Sequence, residues 1–244
     1  MSTVPRGFDV THPDSAGETL LCGFTEFGLA GLSAADYLVQ HLGLEQTGHV
    51  TTEQLPAITP FLAGRPRHHT RLYAADDHDV SALVGELFVP REAARGFADT
   101  LIDWAETAGV DEICVLSGVP VAHGPDEHRP FSVATEDFRE HRLEGVDIPP
   151  MGGGYLDGIN GALAEQGLNS PLRVGVLTTP AHARTPDVEA TLRLLEAVET
   201  VYGLGVDLEP LAAFAAEVEK QYAELSERME QAEQRQQPED RMYM

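Results

Sequence analysis

The sequence holds a single lysine, Lys220; the rest of its 16 basic residues are arginine, set against 40 acidic ones. That scarcity excludes several chemistries at once. A phosphate-binding loop needs a Gly-Lys-Ser/Thr element, a pyridoxal enzyme a Schiff-base lysine, and a kinase a strand lysine. Lys220 stands in an acidic helical stretch, distant from any glycine-rich turn, and can serve none of these. Cysteine is almost as scarce. Cys22 and Cys114 each sit in a short apolar run, TLLCGF and EICVLSG, of the kind that forms a buried strand. They read as core residues rather than a disulfide framework or metal ligands. Nowhere do about 18 apolar residues run together, and MSTVPRGFDVTHPDS at the start has no signal-like apolar segment. A soluble, cytoplasmic protein without a membrane partner is expected.

What is present is acid and a foldable core. The chain has 244 residues, 42% of them hydrophobic, enough for one large α/β domain or two small ones and too many for global disorder. Its formal charge of −24 opposes tracking of a phosphate backbone, so no nucleic-acid partner is expected. Acid excess with arginine in place of lysine suits a cytoplasm at molar salt, where an acidic surface stays hydrated and its self-repulsion is screened. A salt-adapted archaeal source is the expectation.

Strand-like and helix-like periods alternate. Strands are expected at Thr19 to Phe24, Thr70 to Ala75, Val80 to Leu87, Asp111 to Leu116 and Leu172 to Leu177. Between them, Leu29 to Leu42 reads as an amphipathic helix with Leu32, Ala35, Leu38, Val39 and Leu42 on one face. A second helix starts at Pro90, runs through Phe97, Leu101 and Trp104 and stops at Gly109. Tyr155 to Gln166 and Pro186 to Tyr202 are further helices, the latter with Thr185 as N-cap. Val119 to Pro150 reads as an excursion holding one short strand, Phe131 to Ala134. This order implies a largely parallel sheet with helices on both faces.

Two glycine clusters invite a ligand reading. Gly23, Gly28 and Gly31 in GFTEFGLAG mark a strand-to-helix turn, but the spacing is not that of a dinucleotide fingerprint, and close packing of helix on sheet explains them better. Gly152, Gly153, Gly154, Gly158 and Gly161 in MGGGYLDGINGAL could hold a carboxylate or phosphate, but a close helix contact explains them better. Ser117 and Gly118 stand at a strand end, where α/β enzymes place chemistry, yet no nucleophile elbow surrounds Ser117. The ten histidines, His68, His69, His123, His128, His141 and His182 among them, form no metal-binding pattern and read as solvated, so no metal or other cofactor is expected.

Taken in order, GFTEFGLAG with AADYL, TTEQLPAITPFLAGRPRHHTRLY, LIDWAETAGVDEICVLSGVPV, GYLDGINGALAEQG and TPDVEATLRLLEAV leading into GVDLEPL resemble the proteasome assembly chaperone two family, from about Glu18 to Glu217. The resemblance implies a Rossmann-like, three-layer α/β/α fold similar to that of nucleoside phosphorylases, without catalytic residues. It also implies a non-enzymatic role as chaperone or adaptor, binding outer-ring subunits of the proteasome core particle without ATP, and a homo-oligomeric state. The alternative is a small-molecule enzyme of phosphorylase-like fold with its site near Ser117, Gly118 and Gly152 to Gly154.

The expected division is a flexible N-terminus at 1–17, the α/β domain at 18–208, an amphipathic helix at 209–234 and a flexible tail at 235–244. In the helix Leu211, Ala215, Val218, Tyr222, Leu225 and Met229 follow a heptad spacing, which suits either packing on the chain's own domain or pairing between subunits. The tail ends in Met242, Tyr243 and Met244. These fit the hydrophobic-Tyr-any terminus through which, the resemblance implies, proteasome activators and some assembly chaperones dock between outer-ring subunits.

Overall fold

Strand β2 (Thr19–Phe24) is buried at every position, as a continuous apolar run requires when both faces of a sheet are covered. It sits inside an eight-stranded sheet in a computed structural model that describes residues 7–12, 16–120, 128–182 and 185–218. The chain divides into a body, Met1–Asp207, and a second unit, Leu208–Met244. The body's remaining sheet strands are β1 (Phe8–Thr11), β3 (Glu45–Thr52), β6 (Thr70–Ala74), β7 (Val80–Gly85), β8 (Glu112–Val119), β9 (Phe131–Ala134) and β10 (Arg173–Pro180). Two further strands, β4 (Phe61–Leu62) and β5 (Arg65–Pro66), make a separate hairpin.

Their order across the sheet is β1-β3-β6-β7-β2-β8-β10-β9. Strands β7, β2, β8 and β10 are parallel, with Cys22 opposite Leu83 on one side and Val115 on the other. The pairs β1–β3, β3–β6, β6–β7 and β10–β9 are antiparallel, so the expectation of a largely parallel sheet holds only for the four central strands. The stretch 1–17, expected to be a flexible N-terminus, contributes β1: Val10 pairs with Val50, and Phe8 meets Phe97 edge-to-face at 5.2 Å. Neither β1 nor β3 carries a long apolar run. Their burial alternates along the strand, as it does in a sheet margin half open to water.

Helices α1 (Ala30–His41) and α5 (Val188–Tyr202) cover one face, and α2 (Arg91–Ala108) and α4 (Gly158–Gly167) the other, giving the expected α/β/α layers. The α2 side is filled around Phe97, which also packs edge-to-face on Phe24 at 5.8 Å. On α1 the buried face is Ala30, Gly31, Ala34, Ala35, Leu38 and Val39, whereas the expected Leu32 and Leu42 are only half-buried. Small residues bring this helix down onto the sheet. Gly109, at φ +84°, ends α2 as its position after the last apolar repeat predicts.

Two helix starts fall later than the sequence suggests. The cap of α5 is Asp187, whose carboxylate accepts from Ala190 N–H at 2.9 Å, not Thr185; the helix follows the residue that satisfies its first N–H groups. Helix α4 begins at Gly158 because Asp157 accepts from the Gly158 N–H at 2.7 Å, leaving Tyr155 outside the helix and fully exposed. The Val119–Pro150 excursion is tied back by an ion pair to the sheet. After the short helix α3 (Glu136–Phe138), the π turn Arg139–Leu143 presents Arg142, whose Nε donates to Glu112 Oε1 at 2.7 Å. Arg173 Nε reaches the other oxygen at 3.1 Å and Thr19 Oγ1 donates at 3.0 Å, so the fully buried Glu112 side chain is matched on both sides.

The second unit contains a helix over 209–218 bearing Leu211 and Val218. Tyr222, Leu225, Met229 and the tail with Met242, Tyr243 and Met244 lie outside the described residues. Among the described residues no helix is long and apolar enough to cross a membrane.

Candidate functional site

From β2 the chain crosses to the β7 side of the sheet, then returns through α2 to β8 on the other side. The β2–β8 boundary is thus the switch point at which open α/β sheets leave a crevice beyond the strand ends. A cavity of about 910 Å³ occupies it. Its floor is polar. Ser117, from β8, donates its hydroxyl to Glu26 Oε2 at 2.8 Å, and Asn160 Nδ2, from α4, donates to the same oxygen at 2.6 Å and to Ser117 Oγ at 2.8 Å. Ser117 is 2% exposed and Asn160 6%, and Asn160 Oδ1 is buried without a partner. Burial pushes the Glu26 carboxyl above the usual carboxylate range; the two hydrogen bonds oppose that shift and neighbouring Asp157 adds to it.

Local chemistry holds Glu26 in place. Thr25 N–H donates to Gly85 O at 3.0 Å and its hydroxyl to Glu86 O at 2.8 Å, turning the chain out of β2. Gly28 and Leu29 then adopt left-handed φ of +65° and +50°, the second at a cost of about 1–3 kcal/mol for a residue with a side chain. Hydrogen bonds from Leu29 N–H to Glu26 O, 3.1 Å, and from Asp187 N–H to Gly28 O, 2.8 Å, lock that turn. Above the floor the walls are apolar, with Met151, Leu156 and Val133, and the aromatic rings of Phe27, Phe88 and Tyr155 are exposed along the opening. At the rim Asp157 pairs with Arg91, the first residue of α2.

Sequence-predicted positions meet here: Ser117, Gly118, Gly153 and Gly154 all line the cavity. Gly28, Gly31 and Gly152 do not. Gly31 faces the sheet, where a Cβ would fall well under 3.0 Å from Leu116 O, and Gly23 is similarly closed by Gly31 O, which supports the packing reading of that cluster. The close-contact reading of the second cluster is corrected at Gly152, Gly153, Gly154 and Gly158, where an added Cβ would meet nothing within 4 Å, and holds at Gly161, where one would fall 2.5 Å from Leu156 O. Glu26 and Asn160, which make the floor, were not among the sequence candidates. Their signal is faint: an acidic residue two positions past an all-buried strand, and an asparagine inside a glycine-flanked apolar helix.

Cys22 and Cys114 are buried free thiols, and burial pushes the Cys114 thiol up to about 12, so neither is poised as a nucleophile. Histidines associate differently from the expectation of simple solvation: His49 and His68 stack with ring centroids 3.6 Å apart, and His182 Nδ1 lies 2.7 Å from Asp187 Oδ2. Among the described residues no three His, Cys, Asp or Glu side chains converge as a metal site would need.

A mixed sheet between two helical layers, with a crevice at its switch point, defines a Rossmann-like α/β/α protein. Within that class, residues 20–226 match the PAC2 family, and the chain belongs to it. No curated protein matches the chain in sequence. Among solved structures it is similar to Pyrococcus furiosus PbaA, described as an archaeal homolog of proteasome-assembly chaperone, with 22% identity and a TM-score of 0.81 over 94% of this chain and 95% of that one. A Thermoplasma acidophilum protein of unknown function is 25% identical with a TM-score of 0.75, covering 93% of both chains. Pyrococcus furiosus PbaB, described as an archaeal proteasome activator, is 20% identical with a TM-score of 0.72 over 91% of this chain and 99% of that one.

Proposed function

We propose that this protein is an ATP-independent proteasome assembly chaperone or adaptor that binds outer-ring subunits of the core particle. The observation that carries the reading is the family match over residues 20–226, joined to a shared fold with proteins described as a proteasome-assembly chaperone homolog and a proteasome activator. The sequence supports the ATP-independent part, since its only lysine lies outside any phosphate-binding pattern. A non-enzymatic role is supported by the sequence around Ser117, which lacks a nucleophile elbow.

Binding is assigned to Met242, Tyr243 and Met244. The ten residues after Gln234 span at most about 33–36 Å when extended, enough to carry these side chains from the body to a pocket on a ring. Steering over distance is weak at molar salt, where the screening length is about 3 Å, so recognition rests on contact: an aromatic hydroxyl with a partner and a Met in an apolar slot. A homo-oligomer joined through Leu211, Val218, Tyr222, Leu225 and Met229 would present several tails and bind jointly. Co-sedimentation with purified core particle tests this reading. Tyr243→Ala, or removal of 242–244, is expected to weaken binding at least tenfold with the fold unchanged. Undiminished binding would move the contact to the α/β body.

A further inference from the structure

The switch-point cavity has a composition that the chaperone reading leaves unused. Among the described residues three formal charges line it: Glu26, Asp157 and Arg91. Arg91 and Asp157 pair with each other at the rim. Among the described residues no cation pairs with Glu26. Both of its protein hydrogen bonds end on Oε2, and among the described residues no donor reaches Oε1. The same floor holds a second unsatisfied acceptor, Asn160 Oδ1. Above lie three aromatic rings, Phe27, Phe88 and Tyr155, exposed at the opening rather than packed into the core. An anionic acceptor at the base of an aromatic funnel is the arrangement that recognises a positive group on an apolar body, since ring faces and carboxylate both attract it.

We propose that this crevice binds a small organic cation, a primary or secondary ammonium carried on a flat apolar body, with Glu26 as its anchor. The ammonium donates to Glu26 Oε1. The body lies between Phe27, Phe88 and Tyr155, and the space of about 910 Å³ admits a ligand well beyond a single ring. Anions are disfavoured twice, by Glu26 and by the absence of an unpaired guanidinium among the lining residues. This proposal rests on residues other than Met242, Tyr243 and Met244, so either proposal can fail alone.

The test compares three probes that share one skeleton and differ in charge: 2-phenylethylammonium, 2-phenylethanol and phenylacetate. Each is titrated by calorimetry or ligand-observed NMR into the full chain at fixed ionic strength. The ammonium is expected to bind at least tenfold more tightly than the alcohol, with phenylacetate weaker still. Glu26→Gln, which keeps the shape of the side chain, is expected to abolish the preference for the ammonium over the alcohol. Tyr155→Ala, at a fully exposed position whose loss cannot unfold the body, is expected to weaken the ammonium severalfold while the charge preference persists. Equal binding of ammonium and alcohol to the parent protein, tighter binding of phenylacetate, binding of none of the three, or an unchanged preference in Glu26→Gln would overturn the proposal.

Discussion

Gly31 of helix α1 rests on the main chain of Leu116 in strand β8, so closely that a Cβ at position 31 would fall well inside the 3.0 Å that real side chains respect. The obstructing atom is a strand carbonyl, which cannot rotate away. Gly31→Ala must therefore lift the helix from the sheet. We expect a loss of about 1–3 kcal/mol or more, seen as a lower urea midpoint. Gly152→Ala is the control: its added methyl meets nothing within 4 Å, and a change within about 0.5 kcal/mol is expected.

The buried Glu112 carboxylate, held between Arg142 and Arg173, fastens the Val119–Pro150 excursion to the sheet. Glu112→Ala removes the acceptor from two guanidinium groups that are each mostly buried. Breaking such a pair costs about 3–5 kcal/mol. Chemical denaturation at constant salt should show a loss of that order, and local protease cleavage within 128–150 should accompany it.

Glu26 makes stability depend on pH in a particular sense. Burial raises its carboxyl above the ordinary range, so the native state holds the proton more tightly than the unfolded chain. Below the ordinary carboxyl range both states are protonated and the group costs nothing. As pH rises from that range through the raised native value, stability is lost. Glu26→Gln escapes the loss, so its stability relative to the parent should rise with pH over this window and then level off. Denaturation curves at a series of pH values check this, and a difference that is flat or falls with pH would contradict it.

Asp187 behaves in the opposite way. Burial would raise its carboxyl, but hydrogen bonds from the Ala190 and His182 N–H groups and the His182 side chain outweigh it, and the native value is lowered. The stabilisation is present above the ordinary carboxyl range and lost as pH falls through the lowered value. Asp187→Ala should cost about 1 kcal/mol at neutral pH through loss of the α5 cap, and the deficit should shrink in acid.

The elements legible in sequence were those with strong local signals. Strands β2 and β8 are apolar runs, and α2 is bracketed by Pro90 and Gly109. Strands β1 and β3 were not legible: FDVT and EQTGHVTT bury few side chains, and their pairing becomes apparent only once each has the other as neighbour. Strands β6 and β9 are legible as strands, but their antiparallel pairing is not, because direction is set by the connections and not by the local pattern. At the site, Ser117, Gly118, Gly153 and Gly154 could be singled out because serine and glycine at strand ends are conspicuous. Glu26 and Asn160 acquire meaning only by converging across 134 positions of sequence, and no local pattern encodes that meeting.

The most direct test of the proposed function is sedimentation velocity of the full chain mixed with purified core-particle subunits, outer-ring and inner-ring separately, without nucleotide and at molar salt. The account predicts that the chain co-migrates with outer-ring subunits alone, that adding ATP changes nothing, and that Tyr243→Ala weakens the complex at least tenfold. Separate migration from both kinds of subunit, or a complex that forms only with ATP, would contradict it.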